Sequence, residues 1–242
     1  MKFKFFIWCF FFLTYCKSFS QFAYEVNYGI SEIKLNEPFG DADKRSKEIV
    51  KKIVEYAEKI NYVLIAKENK SFFTHEKFMV NDDDPLNKIL LKGAMRFTSF
   101  NEATYINLNK DSLIFIKNLV TKDFTVKRDI YDFKWILAKD EKKILGYDAR
   151  KAKGTYFNDI IGKKVEIEAW YIPSIPLRFG PDIFVGLPGL IAELHLERAV
   201  VSVESIKKKE DLEVKKIVSD NIFSLQEFNE VIKKLTKEYL EN

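Results

Sequence analysis

Residues 180–191 read GPDIFVGLPGLI. This stretch holds three of the chain's nine glycines and two of its six prolines, set among large apolar side chains. Proline cannot donate a ladder hydrogen bond, so Pro173, Pro176, Pro181 and Pro188 rule out a regular central strand through this region. Gly186 and Gly189 permit a positive φ or a close backbone approach that a β-carbon resists. Phe179, Ile183, Phe184, Val185, Leu187, Leu190 and Ile191 nevertheless demand burial. The stretch reads as a rigid apolar loop folded against a sheet and feeding a strand that starts at Leu190.

The chain on either side supplies that sheet. Period-two alternation predicts a first strand over 24–34, and a polar loop at 36–41 ends it. Over 44–60 the period changes: Ile49, Val50, Ile53, Val54, Ala57 and Ile60 recur at helical spacing, which predicts an amphipathic helix. Strands are then expected at 62–67, 71–80, 96–100, 103–107, 112–120, 124–130, 135–138, 143–153, 163–172, 190–197 and 200–207. Residues 81–95 read as a loop with a single helical turn at 86–91. A last helix starts at Ser224, where Ser224 and Glu227 have capping-box spacing. The expected fold is mainly β within the α+β class. It is a curved antiparallel sheet or half-barrel with an N-terminal and a C-terminal helix packed on it.

The N-terminus reads as an address rather than as structure. Lys2 and Lys4 precede a short apolar run over 5–13, and Ser18-Phe19-Ser20 places small residues around a cleavage point before Gln21. The expectation is a signal peptide at 1–20 and one β-rich domain over 21–242, with no transmembrane segment after cleavage. Both cysteines, Cys9 and Cys16, lie in the leader, so disulfides, thiolate metal sites and cysteine nucleophiles are excluded from the mature chain. The leader carries three lysines and no acids, so the net charge of +4 becomes +1 after cleavage. A charge so near zero removes the usual basis for nucleic-acid affinity.

Chemistry-bearing clusters are sparse. Glu193, His195 and Glu197 alternate along one expected strand, so one face would carry a Glu-His-Glu set able to ligate a divalent metal. A wet strand face opposite Leu194 and Leu196 produces the same pattern and is the preferred reading. Asn81-Asp82-Asp83-Asp84 has oxygen donors but lacks the spacing of a calcium loop. His75 reads as a surface strand residue. No metal or cofactor is expected. Trp170, Phe179, Ile183, Phe184 and Leu187 are the candidate ligand- or partner-binding residues: the apolar residues between Phe179 and Val185 would stay partly exposed as a lip, Trp170 would stack on a ligand, and Leu187 would anchor the loop to the core.

The loop also carries a resemblance. Ala169-Trp170-Tyr171, Pro173, Ile175-Pro176, Gly180-Pro181 and Gly186-Leu187-Pro188-Gly189-Leu190-Ile191 resemble the GLPGLI family of secreted proteins, found mainly in Bacteroidota-type bacteria. The segment 144–152 resembles the strand that precedes the family's motif, with Ala149 near where a cysteine often stands. The resemblance implies a secreted, periplasmic or outer-membrane-associated protein. Looser similarity implies a sheet like that of lipoprotein-carrier proteins, whose concave face holds an acyl chain. The function expected is non-enzymatic binding of an apolar ligand or lipid chain. Alternatives are an accessory subunit docking to an outer-membrane assembly and a metal-dependent hydrolase centred on His195.

Overall fold

The computed structural model describes residues 22–35, 43–76, 85–119, 122–158 and 162–240. The expected leader, the 36–41 loop and the 81–84 acidic run lie outside the described residues. The chain begins with strand β1 (Ala23–Ile33), helix α1 (Lys44–Ala57) and the hairpin β2 (Tyr62–Lys67) and β3 (Lys70–His75). Helix α2 (Pro85–Met95) leads to β4 (Ala103–Asn107), β5 (Ser112–Leu119) and β6 (Lys122–Arg128). Then come β7 (Ile136–Ile144), β8 (Tyr147–Asn158), β9 (Lys163–Ile172), β10 (Leu190–His195) and β11 (Ala199–Lys209). Strand β12 (Ile222–Ser224) and helix α3 (Leu225–Leu240) complete it.

The strands form one open sheet in the order β12-β6-β5-β4-β3-β2-β1-β11-β10-β9-β8-β7. Every neighbouring pair is antiparallel except β12 with β6. Two meanders, β2 to β6 and β7 to β11, therefore meet at β1. In the first, register places Val26, Leu64, Phe73, Thr104, Phe115 and Val126 in one row, all buried. In the second, Ile30, Val201, Leu194, Ala169 and Ala152 form the matching row. The mainly β expectation with helices on the sheet is met.

Helix α3 packs on the first meander, and α1 packs against α2. Phe228 of α3 is fully buried, with its ring 6.2 Å from Phe115 and 5.8 Å from Phe124. Ser224 and Glu227 make the expected reciprocal cap: the Ser224 amide donates to the Glu227 carboxylate at 2.7 Å, and the Glu227 amide to the Ser224 hydroxyl at 3.3 Å. Asp43 caps α1 by accepting from the amides of Arg45 and Ser46.

Several element boundaries differ from expectation for identifiable reasons. Residues 85–95 form a full helix, because Leu90 and Ala94 bury and Gly93 lets α2 close onto Ile53 of α1. Residues 96–100 are not a strand: they turn, and Phe100 joins Tyr62 and Phe73 in an edge-to-face aromatic cluster. The expected strand over 143–153 is interrupted by a hairpin turn at Leu145 and Gly146, both at positive φ.

Candidate functional site

The loop from residue 173 to 189 folds against the core face of β8 to β11. Its backbone groups are paired locally: the Gly186 amide donates to the Arg178 carbonyl, the Ile191 amide to Phe179 and the Leu190 amide to Ile175. Gly180 is required by contact, since a β-carbon there would lie 2.6 Å from Cβ of Ile191. At Gly189 a β-carbon would lie 2.3 Å from the Ile172 carbonyl oxygen. Leu187, Leu190 and Ile191 are buried and anchor the loop, while Pro181 shapes its entry and Pro188 its exit.

The exposed lip expected here is not found. Phe179, Ile183, Phe184 and Val185 retain 0%, 8%, 3% and 4% of their surface, so these side chains are core. The structure does not bring the candidate binding residues together either. Trp170 pairs in register with Lys151 and Glu193, on the face opposite Ala152, Ala169 and Leu194.

One residue in the loop has a role that its sequence pattern hides. Asp182 is buried at φ 52°, and its carboxylate accepts from the Thr104 hydroxyl (2.5 Å), the Asn101 side-chain amide (2.9 Å) and the Asn101 backbone amide (3.4 Å). Burial pushes its carboxyl above the ordinary value, against the lowering effect of these donors and of the nearby Lys117 ammonium. Asp182 thus ties the loop of the second meander to β4 of the first. An acid inside an apolar, proline- and glycine-framed run was the available signal.

The Glu-His-Glu set is only partly assembled. Strand β10 ends at His195, and Glu197 lies in the turn to β11, so the alternation stops short of it. Glu193 Oε1 sits 2.6 Å from His195 Nε2 and 2.6 Å from Lys142 Nζ, and Ser202 donates to its other oxygen at 3.3 Å. Burial would raise this carboxyl, but the hydrogen bonds from Lys142 and His195 outweigh it and hold the group below its ordinary value. Lys142 and Lys151 also lie 4.5 and 5.7 Å from the Trp170 ring centre. The other histidine, His75, is not a free surface residue: its Nε2 lies 3.0 Å from Glu102.

A cleft opens where the sheet steps. Strand β10 pairs with β9 only from Glu168 onward, whereas β8 pairs with β9 from Lys163. The β8–β9 hairpin therefore projects past the β10–β11 turn, leaving a space of about 1030 Å³ between them. Tyr156, Val165, Ile167, Phe184 and Leu196 supply its apolar lining. A second recess of about 530 Å³ adjoins it, sharing Lys134, Thr155, Tyr156 and Lys164. At the mouths Ile136 is 73% exposed and Phe157 56% exposed. Lysines 34, 134, 153, 163 and 164 border the larger cleft, against Glu166, Glu168 and Glu197, and Glu168 is already paired with Lys151 at 2.8 Å.

This region also carries a family match. Residues 157–193 match a family described as a Protein of unknown function (Porph_ging). The Porph_ging stretch takes in the end of β8, all of β9, the whole 173–189 loop and the start of β10. It includes Val165, Ile167 and Phe184 of the cleft together with the GLPGLI string, within less than a sixth of the 242 residues. No curated protein matches the chain. No helix among the described residues is long and apolar enough to cross a membrane.

Proposed function

We propose that this chain is a secreted, envelope-located protein of the GLPGLI type that acts without catalysis, as a binding module for a ligand with an apolar segment. The observation that carries the reading is the stepped cleft: about 1030 Å³, lined by Tyr156, Val165, Ile167, Phe184 and Leu196, with Ile136 standing exposed at its mouth. Its size is at the upper end of ligand sites, roughly 300–1,000 Å³, and a concave, mostly apolar lining with a few polar groups is the usual form of such a site. The GLPGLI string inside the Porph_ging stretch supports the family reading, and the basic, apolar N-terminus supports export.

Within this reading the 173–189 loop is scaffold: it buries its own apolar residues and presents Phe184 from behind the cleft. Native mass spectrometry of protein recovered from its own cell envelope tests the proposal. Extra mass, lost when Ile136→Glu places a charge at the mouth, is the expected result. Identical spectra for the two proteins, both free of added mass, would overturn it.

A further inference from the structure

The step in the sheet leaves more than a cavity. Residues 163–167 are hydrogen-bonded to β8 on one side, and on the other side have no backbone partner among the described residues, because β10 begins to pair only at Glu168. The five-residue stretch from Lys163 to Ile167 is therefore a free strand edge, and every one of its residues lines the cleft. The opposite edge of the hairpin is covered, since the Lys134 amide donates to the Thr155 carbonyl at 2.9 Å and the 131–135 segment runs along it. Unpaired strand edges accept extended chains, because main-chain hydrogen bonds supply affinity and alternate side-chain sites supply choice.

The two faces of this edge differ. Register puts Val165 with Tyr156 and Ile167 with Gly154, on the face that continues Ala152, Ala169 and Leu194 into the core. Lys164, Glu166 and Glu168 face the other way, and Glu168 shares its row with Lys153 and His195. An incoming strand would continue the line of β10 beyond His195. Alternate residues would then meet an apolar wall of Val165 and Ile167, and the residues between them would meet a charged one of Lys153, Lys164 and Glu166.

Resting on the reading of the cleft as a binding site, we propose that its occupant is an extended peptide segment of a partner protein. It adds as a strand to β9, with apolar side chains at alternate positions and acidic side chains between them. The acidic preference follows from the charge bordering the cleft: with Lys134 paired to Asp132 and Glu168 to Lys151, Lys34, Lys153, Lys163 and Lys164 stand against Glu166 and Glu197.

The test uses the full chain, a short acetylated peptide alternating valine and glutamate, its valine–lysine counterpart, and the glutamate peptide N-methylated at alternate residues. The glutamate peptide should bind at least about tenfold more tightly than the lysine peptide. It should also slow amide exchange within 163–167, and N-methylation should abolish both effects. Lys163→Glu with Lys164→Glu should reverse the charge preference, and both side chains are exposed, so an unchanged melting temperature certifies the fold. Equal binding of the N-methylated peptide would overturn strand addition. So would dodecanoate binding in the cleft while no peptide does, an outcome that keeps the binding-module reading. If neither peptide nor dodecanoate binds, both readings fall.

Discussion

At single residues, the physical demands of the loop separate into contact and charge. Gly189 has φ 159°, close to extended backbone, so its requirement comes from the Ile172 carbonyl oxygen 2.3 Å from where a β-carbon would stand. Gly146 is the opposite case: φ is 82° and nothing lies within 4 Å of its β-carbon position. Gly146→Ala should therefore cost about 1 kcal/mol, the conformational price alone. Gly189→Ala should cost about 1–3 kcal/mol more, because backbone must move. Equal losses in denaturant melts would remove the close-approach account. Asp182 gives a pH prediction. Its carboxyl is raised by burial, so between the ordinary aspartate value and the raised native one the folded chain holds a proton that the unfolded chain has released. Its contribution to stability thus falls as pH rises through that window and stays low above it. Asp182→Asn keeps an acceptor for Thr104 and Asn101 without the charge, so relative to the parent it should be more stable at neutral pH than at acid pH. A pH-independent difference between the two proteins would show that the carboxyl's ionisation is not what the core resists.

At the level of elements, the α3 cap can be tested alone. Ser224→Ala removes the acceptor for the Glu227 amide and leaves the Ser224 backbone amide bonded to Glu227, so a loss of about 0.5–2 kcal/mol is expected. An unchanged melting temperature would mean that Phe228 packing alone fixes the helix start. This cap was legible in the sequence because both partners lie within one turn. So were β2, a short unbroken apolar run ended by a polar turn, and α1, whose apolar stripe recurs at helical spacing. Helix α2 was legible only as a single turn at 86–91: Gly93 weakens its helical pattern, and the reason for that glycine is Ile53, some forty residues away. Nor was β12, three residues long, whose pairing with β6 exists only in the folded chain. The same reasoning covers the site. The burial demand of GPDIFVGLPGLI could be read from its composition. The cleft could not, because it depends on where β10 stops pairing with β9, and register is a tertiary property.

Across the whole molecule, β1 decides whether the two meanders behave as one unit. It is the strand that pairs with both β2 and β11, and the Tyr28 hydroxyl reaches across to donate to the Ile191 carbonyl at 2.8 Å, fully buried. Asp182 adds a second tie, from the loop to Asn101 and Thr104. Without such ties, sheets assembled from two sequential meanders could open one half at a time. The chromophores are placed to detect this. In a chain expressed from Gln21 the tryptophans are Trp135 and Trp170, both in the second meander, whereas all three described helices are joined in the chain to strands of the first half, β1 to β6 with β12. Tryptophan fluorescence therefore follows one half and the helical far-UV signal the other. Coincident thermal transitions are expected for the parent chain, as two-state unfolding requires. Tyr28→Phe deletes one buried hydrogen bond, worth about 1 kcal/mol, and should lower both transitions by the same amount. If fluorescence alone shifts, β1 is part of the second meander only, and the sheet is two cooperative units sharing a border.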